Sequence, residues 1–182
     1  MYFMLIKKLR RHRHLLDLAR ADSGSIHFYL EPIILNELVT EIGGMAQQYN
    51  NRTINIETGA EKVIIKADIN RLKQVLLNLI DNGVKYSEKE ITIKVEKIKE
   101  TAIIQVSDRG SGIPLAQQNR IFERFYRLDE AKCRNTGGTG LGLSIVKTLV
   151  EGMGGKISLR SQLGEGSSFI ISFPVYCENL LC

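Results

Sequence analysis

Between Asp68 and Tyr86 the chain reads DINRLKQVLLNLIDNGVKY, and its apolar residues recur at helical spacing, which predicts the strongest helix in the sequence. Val75, Leu76, Leu79 and Ile80 supply its apolar cover. A second helix is expected from about Leu35 to Tyr49, with Leu35, Leu38, Val39, Ile42 and Met45 inward, although Gly43 and Gly44 weaken it. Near the start, Leu5, Leu9, His12 and Leu16 also keep helical spacing, widened by Leu15 and Ala19, and "DSG" at Asp22 to Gly24 closes that run. Such a helix cannot bury its stripe alone.

Strand patterns fill the intervals. "SIHFYLEPI" reads as a strand closed by Pro32, and "RTINIET" and "KVIIKAD" read as short strands. "EITIKVEKIKE" and "TAIIQVSDRG" alternate and form a hairpin turning near Glu100 and Thr101. Helices are expected after Pro114 and from about Gly140 to Glu151, and "GKISLRSQ" with "SSFIISFPV" makes a final hairpin turned by "LGEG". Hairpins dominate the second half, so the fold class is α+β: a mixed, mostly antiparallel sheet with helices on one face.

Composition narrows this picture little. A chain of 182 residues supports one globular domain and a tail. Its net charge is +5, but five of the 25 Lys and Arg lie in "KKLRRHRH", and the other 20 balance the 20 Asp and Glu. A nucleic-acid groove across the domain is therefore not expected, and the basic cluster reads as a solvated helix face. Cys133, Cys177 and Cys182 suggest neither a disulfide framework nor a zinc site, so reduced cytosolic thiols are expected. "MYFMLI" is too short for a secretory signal or a membrane span, and a cytoplasmic protein without membrane contact is expected.

Candidate chemistry sits in three places. Asn78, Asn82, Lys85 and Tyr86 recur at i, i+4, i+7 and i+8 and share one helix face. Carboxamide oxygens suit a hard cation such as magnesium, and the Lys suits phosphate; a solvated polar stripe is the alternative. In "SDRGSGIP", Asp108 ends an apolar strand ahead of Gly110 and Gly112, which fits either a ligand-facing carboxylate or a tight turn. In "TGGTGLGLSIVK", four glycines precede a helix-forming run, as though backbone there must be approached closely.

Taken in order, these segments resemble the ATP-binding domain of sensor histidine kinases, part of the superfamily shared with gyrase, the ninety-kilodalton heat-shock chaperones and MutL. "NLIDNGVKYS" is similar to the family's asparagine box, "DRGSGIP" and "GTGLGL" to its glycine boxes, "IFERFYR" to its phenylalanine box and "GEGSSF" to its last. The resemblance implies a Bergerat-type two-layer α/β sandwich binding magnesium and ATP. Asn82 would hold the metal with Asn78, Lys85 and Tyr86 would address the phosphates, and Asp108 would read the adenine amine, helped by Ser167. Gly110 and Gly112, with Ile113, would let adenine lie against backbone. Gly138, Thr139, Gly140, Leu141, Gly142 and Leu143 would form the phosphate-side helix start, where free N–H groups face anions, with Leu141, Leu143, Ile145 and Val146 read as packing. Arg127 would reach the terminal phosphate, Phe122 and Phe125 would anchor their loop, and about Leu128 to Thr139 would form a lid. Asn78, Lys85 and Arg127 would be the catalytic set.

The same resemblance separates branches. Gyrase-like members place a Glu one turn before the metal-binding Asn, whereas this chain has Asn78, whose carboxamide is no general base, so fast hydrolysis is not expected. Asp81 reads as a surface charge. Nothing matches the acceptor motif His-Glu-x-Arg-x-Pro: His12 and His14 lack the following Glu and Pro, and His27 alternates within a strand. Residues 1–22 resemble the end of a dimerisation hairpin, 23–176 the catalytic domain and 177–182 a tail. The expectation is a domain that passes the ATP γ-phosphate to a His on a separate hairpin, in a system completed by a response regulator. The alternative is a nucleotide-dependent protein-binding module of anti-sigma-factor type.

Overall fold

Alternating apolar residues build one five-stranded sheet in the computed structural model, which describes residues 26–50, 52–128 and 139–177. Its strands are β2 (Ile54–Thr58), β4 (Ile91–Ile98), β5 (Thr101–Asp108), β6 (Lys156–Gln162) and β7 (Gly166–Pro174), in the order β2-β4-β5-β7-β6. β2 lies parallel to β4, and the other pairs are antiparallel, as the hairpin pattern requires. Ile91, Ile93 and Val95 of β4, Ala102, Ile104 and Val106 of β5, and Phe169, Ile171 and Phe173 of β7 are buried, while their sequence neighbours stay at least partly exposed. One face is thus core.

Three helices cover that face: α1 (Leu35–Asn50), α2 (Ile69–Tyr86) and α4 (Gly142–Gly152); a single turn, α3 (Leu115–Gln118), packs on β6. Leu35, Leu38, Val39 and Ile42 of α1 meet Leu72, Val75, Leu76, Leu79 and Ile80 of α2 and Ile145, Val146, Leu149 and Val150 of α4 in one cluster. The α+β sandwich is as expected.

Local differences have local causes. Met45 is exposed and Ala46 takes the inward position. The first strand, β1, runs Glu31–Ile34 and contains Pro32 rather than ending at it; it pairs only with β3 (Ile64–Ala67), in a two-stranded ribbon where a missing N–H is tolerated. Residues 26–30, with His27, lie outside any strand. Instead the Tyr29 N–H donates to Asp68 Oδ2 at 3.2 Å, while Asp68 Oδ1 accepts from the Asn70 and Arg71 amides as the cap of α2. Cys177 is disulfide-bonded rather than a free thiol. The helix expected near the start, with His12 and His14, and the tail beyond Cys177 lie outside the described residues. Among the described residues, no helix is long and apolar enough to cross a membrane.

Candidate functional site

The expected polar face of α2 is present, and it is not simply solvated. Asn78 is 6 % exposed, Asn82 and Lys85 are half-buried, and Tyr86 is exposed. Lys85 Nζ sits 4.8 Å from the Tyr86 ring centroid. The last turn of α2 is docked on the end of β5: a Cβ on Gly83 would lie 3.5 Å from Asp108 Cβ, and one on Gly110 would lie 2.3 Å from the Tyr86 carbonyl oxygen. Two segments distant in sequence therefore share one corner, joined by backbone approach that only glycine permits.

Asp108 faces Ser167 across the β5–β7 ladder. Burial pushes its carboxyl above the usual Asp range, and hydrogen bonds from the Gly110 and Ser167 backbone offset part of that rise; the Gly110 bond is 2.8 Å.

The glycines of this loop serve the protein itself. Gly112 has φ +67° and a Cβ there would lie 2.0 Å from the Gln162 carbonyl oxygen, so its bareness seats the loop on the final hairpin. Ile113 is buried, and its N–H donates to Ser161 Oγ at 2.8 Å. Gln118 Nε2 donates to the carbonyls of Ile113 and Ser161, at 2.8 and 2.9 Å. Neither Ser161 nor Gln118 stood out in the sequence. The signal available was a hydroxyl in register with Ile157 and Leu159 on the inner side of β6.

Beyond this loop, Phe122 packs edge-on against Phe169, ring centroids 6.5 Å apart, as an anchor should. Phe125 does not anchor by its side chain, which is 66 % exposed; its backbone, at φ +62°, holds the loop instead. Arg127 is half-buried, and its Nε and Nη2, together with Asn78 Nδ2, are the fully buried side-chain polar atoms that find no partner among the described residues. At the glycine run, Thr139 is exposed, Gly140 has φ +73°, and Gly142 begins α4, whose opening N–H groups have no intrahelical acceptor. Leu141 is 1 % exposed, Ile145 and Val146 are buried and Leu143 is half-buried, so these side chains pack, as read. Gly138 and the expected lid, except Leu128 and Thr139 at its ends, lie outside the described residues.

A separate cleft of about 350 Å³ is lined by Glu57, Glu61, Lys94, Glu96 and Lys97 among others and shares no residue with this corner. Both of its lysines are paired within it, Lys94 with Glu96 and Lys97 with Glu61, each at 2.7 Å.

Residues 67–176 match the family described as histidine kinase-, DNA gyrase B-, and HSP90-like ATPase. The chain is 39 % identical over 168 residues to the sensor histidine kinase YkoH of Bacillus subtilis, covering 92 % of this chain and 36 % of that protein. It is 35 % identical over 167 residues to the circadian input-output histidine kinase CikA of Synechococcus elongatus, covering 88 % of this chain and 22 % of that one. It thus spans about a third or less of these relatives. Full-length ShkA, solved in complex with AMPPNP, superposes with a TM-score of 0.77 at 28 % identity, covering 90 % of this chain and 35 % of ShkA. The catalytic domain of histidine kinase ThkA superposes at 0.69 with 31 % identity, covering 81 % of this chain and 96 % of that domain. With its sheet order, its docked helix and its matched boxes, the chain belongs to the family of histidine kinase-, DNA gyrase B- and HSP90-like ATPases.

Proposed function

We propose that the chain is the ATP-binding catalytic domain of a sensor histidine kinase, transferring the γ-phosphate of ATP to a His on a dimerisation hairpin. One observation carries this reading. The fully buried side-chain polar atoms left without partners among the described residues belong to Asn78 and Arg127, two positions for which the family resemblance implies metal and phosphate roles. Leaving a buried donor unmade costs about 1–3 kcal/mol, and more when it is charged, so these groups are poised to regain that energy from a ligand of matching chemistry.

The donor set fits magnesium. No group of three His, Cys, Asp or Glu gathers among the described residues, so an all-protein cage is absent there. An Asn pair suits a cation that keeps water and shares phosphate oxygens. The orphaned carboxamide of Asn78 can turn its oxygen toward such a cation, because the two ends of an amide are exchangeable in shape. Bound there with Asn82, magnesium would neutralise phosphate charge. Lys85 and Arg127 would hold the phosphates, the start of α4 would lend its N–H groups, and Asp108 with Ser167 would take the adenine amine. Without a carboxylate at position 78, water is not activated and the phosphoryl group is kept for its acceptor.

The protein-binding alternative draws no support from these relatives, which are named as histidine kinases. Incubating the chain with labelled ATP, magnesium and a sensor-kinase dimerisation hairpin carrying its His tests the proposal. Acid-labile label on the hairpin is expected; an unlabelled hairpin in the presence of measured ATP binding would refute the transferase reading.

A further inference from the structure

We propose that Ser161 is a specificity-determining positioning residue: by taking the Ser167 hydroxyl proton it makes Ser167 an acceptor and thereby helps the pocket choose adenine over guanine. The inference rests on the ATP-binding reading above.

Counting donors and acceptors fixes where each hydroxyl proton points. A serine hydroxyl has one proton to give and two lone pairs to receive with. Ser161 Oγ lies 2.8 Å from the Ile113 N–H, 2.8 Å from the Gly166 carbonyl oxygen and 3.0 Å from Ser167 Oγ. The Ile113 amide can only donate, so it occupies one lone pair. The Gly166 carbonyl can only accept, so it takes the single proton. What remains on Ser161 is a lone pair, and the contact with Ser167 is made when Ser167 donates. A hydroxyl rotor is set by its network, and this assignment satisfies all three contacts. The network is rigidly held, since Gln118 ties the Ile113 and Ser161 carbonyls together.

Ser167 is then left with lone pairs only. It is 7 % exposed and stands directly opposite Asp108 in the ladder, whose ionised carboxylate is also an acceptor. Two acceptors side by side match the exocyclic amine of adenine, which donates. Guanine presents a carbonyl oxygen at the same place, and acceptor would face acceptor. A site that leaves polar groups mismatched discriminates far more strongly than one that merely changes shape. Ser161, which need not touch the nucleotide, acts through the direction of a proton on its neighbour.

Ser161→Ala frees the Ser167 proton to turn toward a guanine oxygen. The affinities of ATP and GTP for the parent, Ser161→Ala and Ser161→Thr are compared by titration calorimetry, with thermal melts to establish folding. Ser161→Cys, close in shape but a weak hydrogen-bond partner, replaces the Ala variant should that one not fold. The expected result is an ATP:GTP affinity ratio that drops about tenfold or more in Ser161→Ala and is restored in Ser161→Thr. A variant that loses both affinities in equal proportion, keeping the ratio, would overturn the inference and leave Ser161 as a loop clamp. A parent that binds neither nucleotide removes the ATP-binding reading and this inference together, whereas a selective parent with an equally selective Ser161→Ala removes this inference alone.

Discussion

The Phe125 amide donates to the Gly140 carbonyl at 3.1 Å, and a Cβ on Gly140 would lie 2.7 Å from the Phe125 carbonyl carbon. Both residues have positive φ, which Gly140 adopts freely and Phe125 only with strain, and their backbones meet directly. Gly140→Ala is expected to cost about 1–3 kcal/mol, because its new methyl meets backbone that cannot swing away. A melt of several degrees below the parent is the outcome to look for; an unchanged melting temperature would show that the junction is soft.

Arg127 makes a sharper prediction, since its buried Nε and Nη2 have no partner to lose among the described residues. Arg127→Ala should leave the melting temperature of the free protein unchanged or raise it, because two buried donors without partners among the described residues are removed. ATP affinity should fall about tenfold or more while ADP affinity stays within about twofold, if the guanidinium serves the terminal phosphate. Arg127→Lys should not rescue it, as an ammonium lacks the planar fork. Equal losses for ATP and ADP would move Arg127 away from the terminal phosphate.

Asp108 ties pH to both stability and binding, with opposite signs. Its folded pKa is raised, chiefly by burial, so its stabilising contribution is present below the unfolded pKa and lost as pH rises through the folded one. Binding needs the ionised carboxylate as acceptor. ATP affinity should therefore fall on acidification through a midpoint above the ordinary Asp value of about 3.9. Asp108→Asn should melt higher than the parent at neutral pH, lose the preference for ATP over GTP, and lose this part of the pH dependence, as titrations at matched pH would show. The difference between parent and variant curves isolates the residue from the titration of ATP itself.

Much of this was legible in the sequence because periodicity reports burial directly. The run from Ile69 to Tyr86, and the alternation of β4, β5 and β7, left little choice of element or inner face. The polar residues of α2 and the strand-end Asp108 were visible as violations of an apolar pattern. What stayed hidden depends on contacts between distant segments. Pro32 looked like a stop, yet β1 carries it because only β3 lies beside it. Gly110 and Gly112 looked shaped for a ligand, and no spacing rule announced that Tyr86 and Gln162 also leave no room there for a Cβ. Phe125 looked like an anchor by its resemblance to the phenylalanine box, and its backbone turned out to be the part that is held. Ser161 and Gln118 matter through three-way hydrogen bonding that no spacing rule announces.

The two glycines that weakened the reading of α1 are not equivalent. A Cβ on Gly43 would lie 2.7 Å from Ile56 Cδ1, so the residue admits β2 closely, while one on Gly44 meets nothing among the described residues within 4 Å. Gly44→Ala should stabilise the chain by about 1 kcal/mol, raising its melting temperature by roughly 2–4 °C without altering nucleotide affinity. Gly43→Ala should gain less or lose stability, according to how far Ile56 yields. A Gly44→Ala melt at or below that of the parent would mean that α1 is held by something other than its propensity.

The central claim is a pocket in which the Asn78–Asn82 face of α2 meets a metal-bound triphosphate while Asp108 reads the base. Titrating ATP into the chain with and without magnesium, for the parent and for Asn82→Ala, tests it most directly. Saturable one-to-one binding that tightens with magnesium in the parent, and loses that magnesium dependence in Asn82→Ala, is the predicted result. Binding with the same magnesium dependence in both proteins, or no binding to the parent, would contradict it.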